Sequence, residues 1–158
     1  MKLEIRPTGE AEALAIAAWH YEPPYSFYDA RADQDDLALL LAEESRAGTH
    51  FSAFGEDGEL VGFFSFGVEG DDVVVGLGLR PDLTGRGLGL AFVEAGLAFA
   101  RERFSPGRFR LSVATFNERA IRVYERAGFE PLRTYDHATN GGVYPFLEMA
   151  LYASHAAL

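Results

Sequence analysis

The sequence predicts a mixed α/β domain, an α+β layout with a mostly antiparallel sheet of about six or seven strands flanked by about four helices. Three observations carry this. The chain has 158 residues, the length of one domain, so a single domain over 1–158 is expected. Apolar residues make up 48% and aromatics 13%, enough for a core without covalent staples. The apolar period is helical before His50, strand-like after it, and then alternates in blocks.

The elements follow in order. Residues 3–6 alternate and read as a short strand, ended by Pro7. Residues 10–19 are alanine-rich and helical in composition. Residues 21–29, Tyr-Glu-Pro-Pro-Tyr-Ser-Phe-Tyr-Asp, cannot be a regular helix because of the two prolines, and read as an aromatic-crowded loop. Residues 33–46 carry Leu37, Leu40, Leu41 and Glu44 at helical spacing, with Gly48 as the stop. Residues 51–54, 60–68 and 72–79 read as three strands. Residues 55–58 and 69–72 supply the turns, which makes an antiparallel meander. A glycine-rich loop at 80–89 leads into a helix with Leu88, Phe92, Ala95 and Phe99 on one face, ended by Pro106-Gly107. Residues 109–115 are a strand. Residues 117–127 are a helix, capped by Asn117 or by a Thr115–Glu118 capping box, and stopped by Gly128. Residues 129–136 and 143–152 form a last hairpin around Asn140-Gly-Gly142.

Composition narrows the chemistry. The chain has no cysteine, which excludes disulfides, thiolate zinc sites and cysteine nucleophiles. His20, His50, His137 and His155 lie far apart and no pair has metal-ligand spacing, so no metal is expected. A net charge of −10 argues against a nucleic-acid partner and suits a cationic one. There is no signal-peptide run at the N-terminus and no window of about 18 apolar residues, so no membrane partner is expected and a cytoplasmic location is.

The densest chemistry lies in Leu77, Gly78 and Leu79, followed by the loop Thr84, Gly85, Arg86, Gly87, Leu88, Gly89 and Leu90. A strand ends, a turn follows, and three glycines open a helix. Unpaired N–H groups at the positive end of the helix dipole make a pyrophosphate cradle. Glycine lets phosphate oxygens reach those amides, and Arg86 adds positive charge at the mouth. A P-loop would need Gly-Lys-Ser/Thr, and a dinucleotide fingerprint would need glycine where Leu90 or Phe92 stands. The second dense stretch is Asn117-Glu-Arg-Ala-Ile-Arg-Val-Tyr-Glu-Arg-Ala-Gly-Phe129. Asn117 and Tyr124, seven apart, share a helix face on which Ala120 keeps the surface thin.

Together these two stretches resemble the signatures of the GNAT superfamily of acetyl-CoA-dependent N-acetyltransferases. The family's coenzyme A loop runs Gln/Arg-x-x-Gly-x-Gly/Ala, from which Thr84 departs at the first position. Its second signature, Asn-x-x-Ala-x-x-x-Tyr-x-x-x-Gly-Phe, is matched at every specified position. The resemblance covers roughly residues 50–150 and implies a GNAT-like fold, acetyl-CoA as cosubstrate, and a homodimer as one assembly common in that superfamily. It implies that the Leu77–Leu79 backbone pairs with the pantetheine and stabilises the oxyanion, that Asn117 contacts the pantetheine arm, and that Tyr124 protonates the leaving thiolate. Gly76 and Gly78 suit that strand as marks of a bulge or a close backbone approach.

The expected reaction is direct acetyl transfer to a primary amine of a small cationic molecule, a peptide or a protein. The base is open among Glu22, Glu69, Asp71 and Asp72. Tyr25, Phe27 and Tyr28 are candidates to line the acceptor site, with Glu22 and Asp29 holding a cationic group; the alternative is a hydrophobic plug. Two other functions fit the same residues: a catalytically idle acyl-CoA-binding module, and a protein-interaction module that docks a partner on the aromatic loop.

Overall fold

Residues 60–69 alternate in side-chain environment, and that alternation sets the layers. The structure, a computed structural model, describes residues 1–152. His155 lies outside the described residues. The elements are β1 (Glu4–Pro7), α1 (Glu10–Ala18), α2 (Gln34–Leu41), α3 (Glu43–Arg46), β2 (His50–Phe54), β3 (Leu60–Glu69), β4 (Asp72–Leu79), α4 (Gly89–Phe104), β5 (Arg108–Ala114), α5 (Glu118–Ala127), β6 (Glu130–Thr139) and β7 (Gly142–Tyr152). In β3, Phe64 and Phe66 are buried on one face, while Phe63 joins the α1–α2 cluster on the other.

The sheet has seven strands in the order β1-β2-β3-β4-β5-β7-β6. Every neighbouring pair is antiparallel except β4–β5. The expected meander is present, with a two-residue turn at Gly70-Asp71. The last hairpin closes through Asn140 (φ 53°) and Gly141 (φ 75°), the pair of positive φ values that a type I′ turn requires. Gly128, at φ 106°, ends α5 and donates its N–H to the Tyr124 and Glu125 carbonyls.

On one face α4 and α5 cover a core of Phe51, Phe64, Phe66, Phe92, Leu97, Phe109, Val113 and Met149, each 3% exposed or less. A fully buried side chain of this size contributes about 1.5–3 kcal/mol. Phe64 stacks on Phe92 with ring centroids 4.5 Å apart. A Cβ at Gly96 would lie 2.2 Å from Phe64 and one at Gly62 2.4 Å from Phe92, so both positions need glycine for space. The buried face of α4 is Phe92, Val93, Gly96, Leu97 and Ala100, turned from the expected Leu88–Phe92–Ala95–Phe99 stripe because Gly96 admits the Phe64 ring. On the other face Ala13, Ile16, Ala17 and Leu40 pack with Trp19, Leu37 and Phe63.

The helix expected over 33–46 is broken at Ala42 into α2 and α3, giving five α-helices among the described residues. Arg46 explains the break. It is only 7% exposed, and its guanidinium donates to the carbonyls of Thr8, Leu40 and Leu41. It thereby satisfies carbonyls that end α2 and replaces a continuing turn. At α5 the cap is Asn117, whose side chain accepts from the Ala120 N–H at 3.2 Å; the Thr115–Glu118 capping box is not formed. No helix of the described residues is long and apolar enough to cross a membrane.

Candidate active site

Strands β4 and β5 pair over three residues only, Asp72–Arg108, Val73–Phe109 and Val74–Arg110. Beyond Val74 the two strands part. β4 continues beside β3 as far as Leu79, and β5 continues beside β7 as far as Ala114. From Val75 to Leu79, every second residue of β4 therefore turns its backbone N–H and C=O away from β3 and into the gap. The gap is a cleft of about 490 Å³. Val75 to Leu79 form one wall, Leu111 to Val113 the other, and Asn117, Arg119, Ala120, Val123 and Tyr124 of α5 close its floor. Gly76 and Gly78 mark the end of β4 as unusual, but nothing in the local sequence says where its pairing with β5 stops.

Gly76 and Gly78 sit on the cleft wall, but β4 carries no bulge against β3. Their cause is cross-strand: a Cβ at Gly78 would lie 2.5 Å from Phe63, and one at Gly76 2.4 Å from the Ser65 hydroxyl. The Tyr21 hydroxyl donates to the Leu79 carbonyl at 2.6 Å and ties the aromatic loop to the end of β4.

The glycine loop borders the cleft through Thr84, Gly85, Gly87 and Gly89. Gly85 and Gly87 have φ of 72° and 77°, conformations that L side chains rarely adopt, and nothing lies within 4 Å of where a Gly87 Cβ would be. Gly89 has another role: a Cβ there would lie 3.2 Å from Val123, so it sets the approach of α4 to α5. The Thr84 hydroxyl donates to the Pro81 carbonyl at 2.7 Å, closing a single 3₁₀ turn. Arg86 is exposed, and with Leu88 and Leu90 it does not line the cleft. The cation at the mouth is Arg119, which lines the cleft, lies beside Gly85 and sits 4.0 Å over the Tyr25 ring. Arg119 is not among the residues expected at the site; its place in the first turn of α5, facing the glycine loop, is the signal that points to it.

Asn117, Ala120 and Tyr124 share one face of α5, as the spacing requires. Tyr124 is half-buried, and burial pushes its phenol well above the ordinary value, with Tyr28 adding to the shift. It stays protonated at neutral pH. The Tyr28 hydroxyl accepts the Ala114 N–H at 3.1 Å, and its pKa is also raised by burial, against the opposing pull of Asn117 and Ala114.

The aromatic loop divides its work. Tyr25 and Tyr28 line the cleft. Phe27 packs edge-on against Phe116 at 5.5 Å and Tyr144 at 5.0 Å, and its carbonyl accepts from Asn140 at 2.7 Å. Phe27 thus does not line the cleft but borders a second cavity. This cavity, of about 360 Å³, lies behind the loop and shares Tyr21, Tyr28, Asp36 and Phe63 with the cleft.

The four carboxylates considered as base are not at the cleft. Glu22 is exposed and lines neither cavity. Asp72 receives Arg108 and Arg110 at 2.8 Å each, which hold its carboxyl down at about 2, and Glu69 pairs with Arg110 at 2.8 Å. Asp71 lies in the turn against Gly107. At about 3.3 Å per residue, Asp72 is roughly 16 Å along β4 from Leu77. Asp29 lines the second cavity with its carboxylate engaged by His20 at 2.6 Å and by the Tyr21 N–H at 2.9 Å. Among the described residues no group of three or more His, Asp or Glu could hold a metal ion.

The acetyltransferase (GNAT) family model matches residues 12–129. The chain belongs to this family. Among its sequence relatives is the mycothiol acetyltransferase of Rhodococcus jostii (strain RHA1), 38% identical over 127 residues, which are 76% of this chain and 40% of that protein. The mycothiol acetyltransferase of Streptomyces coelicolor is 41% identical over 120 residues, 74% of this chain and 37% of that protein. The chain thus spans under half the length of these relatives. A solved spermidine N-acetyltransferase from Vibrio cholerae, in complex with CoA and spermine, has a TM-score of 0.79 at 16% identity, covering 99% of this chain and 98% of that one. An acetyltransferase (GNAT family) from Bacillus anthracis gives 0.75 at 15% identity, covering 98% and 96%. At such identities the likeness is one of fold.

Proposed function

We propose that the chain is an acetyl-CoA-dependent N-acetyltransferase that moves the acetyl group to a primary amine by direct attack. The observation that carries this is the cleft itself: an unpaired β4 edge, a positive-φ glycine loop at its mouth and a protonated tyrosine on its floor. A chain of amides such as pantetheine suits the free edge of β4 from Val75 to Leu79. A pyrophosphate suits the Gly85–Gly87 amides and the Arg119 guanidinium. Acetyl-CoA supplies the acetyl group as an activated thioester. The β4 backbone N–H groups stabilise charge on the carbonyl oxygen, Asn117 orients the bound arm, and Tyr124 gives its proton to the departing sulfur.

The acceptor is a small-molecule amine. The relatives named mycothiol acetyltransferase support a small-molecule acceptor over a protein amine. Calorimetric titration of acetyl-CoA, with coenzyme A and ATP as comparisons, tests the cleft. Binding of both coenzyme A forms and not ATP is expected; no binding at millimolar concentration would remove the reading and leave a protein-interaction module in its place. A screen of primary amines for thiol release then separates an enzyme from an idle binder.

A further inference from the structure

We propose that Asp36 is the acceptor-side carboxylate: it receives the ammonium group of a primary amine whose apolar body lies in the second cavity, and it takes the proton that the nitrogen must lose. This rests on the acetyltransferase reading of the cleft. Asp36 is the only carboxylate among the residues lining the cleft, and it lines the second cavity as well. It stands where the two spaces meet, with Tyr21, Tyr28 and Phe63. No cation pairs with it among the described residues, in contrast to Asp72 and Glu148, which arginines occupy.

The second cavity suits a cation with an apolar body. Trp19, Phe27, Phe63 and Phe146 give it ring faces and edges. Its ionisable lining is Asp29, His50 and His137, besides Tyr21, Tyr28 and Asp36 itself. Asp29 is already engaged by His20, and His50 is kept toward its neutral form by burial and by Arg46. The groups acting on Asp36 are Asp33 and Asp35 from its own segment and His137 from β6. Asp36 is exposed at the rim shared by the two spaces, where an entering amine can reach it. Desolvation on its inner side and Asp33 raise its carboxyl above the usual range, with His137 opposing them.

The proton balance closes. The ammonium gives one proton to the Asp36 carboxylate, and the nitrogen lone pair forms the C–N bond as the C–S bond breaks. Tyr124 protonates the sulfur and is restored by the second proton of the nitrogen. Asp36 then releases its proton to water, so the amide, the free thiol and one proton are the products.

The test is calorimetry with phenethylamine and its uncharged counterpart phenethyl alcohol, with and without coenzyme A, on wild type, Asp36→Asn and the neighbouring Asp35→Asn. Wild type should prefer the amine to the alcohol. Asp36→Asn should lose at least about tenfold in amine affinity, the scale of one charge-assisted hydrogen bond, with coenzyme A affinity unchanged. Asp35→Asn, which lines neither cavity and acts on Asp36 only through its charge, should change amine affinity far less and coenzyme A affinity not at all. Equal amine affinity in wild type and Asp36→Asn overturns the proposal, as does a wild type that binds coenzyme A but no amine. Failure of wild type to bind coenzyme A sinks the acetyltransferase reading instead, which keeps the two failures apart. Where phenethylamine turns over, wild-type kcat/KM should level off once Asp36 is ionised. Asp36→Asn should use only the free amine, and its rate should keep climbing with pH toward the amine's own pKa; matching profiles would reject the proton-transfer role.

Discussion

The two ends of the cleft, proposed for phosphate and for amine, are built from different materials. At the proposed phosphate end the groups on offer are backbone amides, held by Gly85, Gly87 and the start of α4, and the shape needs residue types that few other roles need. At the proposed amine end the groups shared by the two spaces are side chains, Tyr21, Tyr28 and Asp36, delivered by a loop and a short helix from a distant part of the chain. Backbone sites leave a mark in the sequence because they restrict it. Side-chain sites assembled by tertiary packing leave almost none.

The largest effect is expected where the backbone is most restricted. Gly87→Asp must take a φ of 77°, at a cost of about 1–2 kcal/mol, and it puts a negative charge into the cradle. Open space around the position lets the protein fold. Acetyl-CoA binding by calorimetry should fall below detection while the melting temperature stays within a few degrees of wild type. Unchanged affinity would end the assignment of the loop. Next comes Tyr124→Phe, which should lower kcat by about 10²-fold or more with little change in coenzyme A affinity. The raised phenol pKa adds a sign: wild type should show no loss of activity from Tyr124 ionisation at any pH up to about 10. A variant as fast as wild type would remove the acid role.

That contrast also explains what was legible. The strand order of the meander, the last hairpin, the Gly128 stop and the two motif stretches were readable, because period, turn chemistry and glycine placement are local. The splay of β4 from β5 was not, since it depends on where a parallel pairing stops, which Gly76 and Gly78 hint at but do not locate. Nor was the break at Ala42, which follows from a buried Arg46 reaching back to α2. Glu22 lies beside aromatic residues in sequence, yet it is exposed and lines neither cavity. Asp36 sits in a helix whose pattern is already explained as amphipathic, so nothing local marks its carboxylate. Arg86 and Arg119 make the same point at the cleft mouth: both are exposed, yet the one within the glycine loop does not line the cleft, and the one from the first turn of α5 does.

Arg119→Ala therefore sharpens the comparison. It should weaken coenzyme A by about tenfold, one charge-assisted contact, whereas Arg86→Ala should change affinity little. The reverse ranking would return the charge at the mouth to Arg86. Because Arg119 also covers Tyr25, its loss should loosen the aromatic loop, read as faster amide exchange over residues 21–29.

The smallest effect belongs to the closed end of the cleft, where Asp72 joins Arg108 and Arg110 across the last β4–β5 pairs. Its folded-state pKa is held at about 2, below the ordinary 3.8, first by the hydrogen bonds from the two arginines. A depressed carboxylate stabilises the fold fully above its unfolded value, and that contribution fades as pH falls through the folded value. Asp72 thus adds to the acid sensitivity of the fold between about pH 4 and pH 2 and to none of it near neutrality. In Asp72→Asn the melting temperature should fall less steeply with pH over that window than in wild type, and coenzyme A affinity at neutral pH should be unchanged. A steep acid slope retained in the variant would show that the three-residue junction is held by its backbone pairing and the apolar contacts beneath it, and that the arginines around Asp72 only decorate the outer face of the hinge from which the cleft opens.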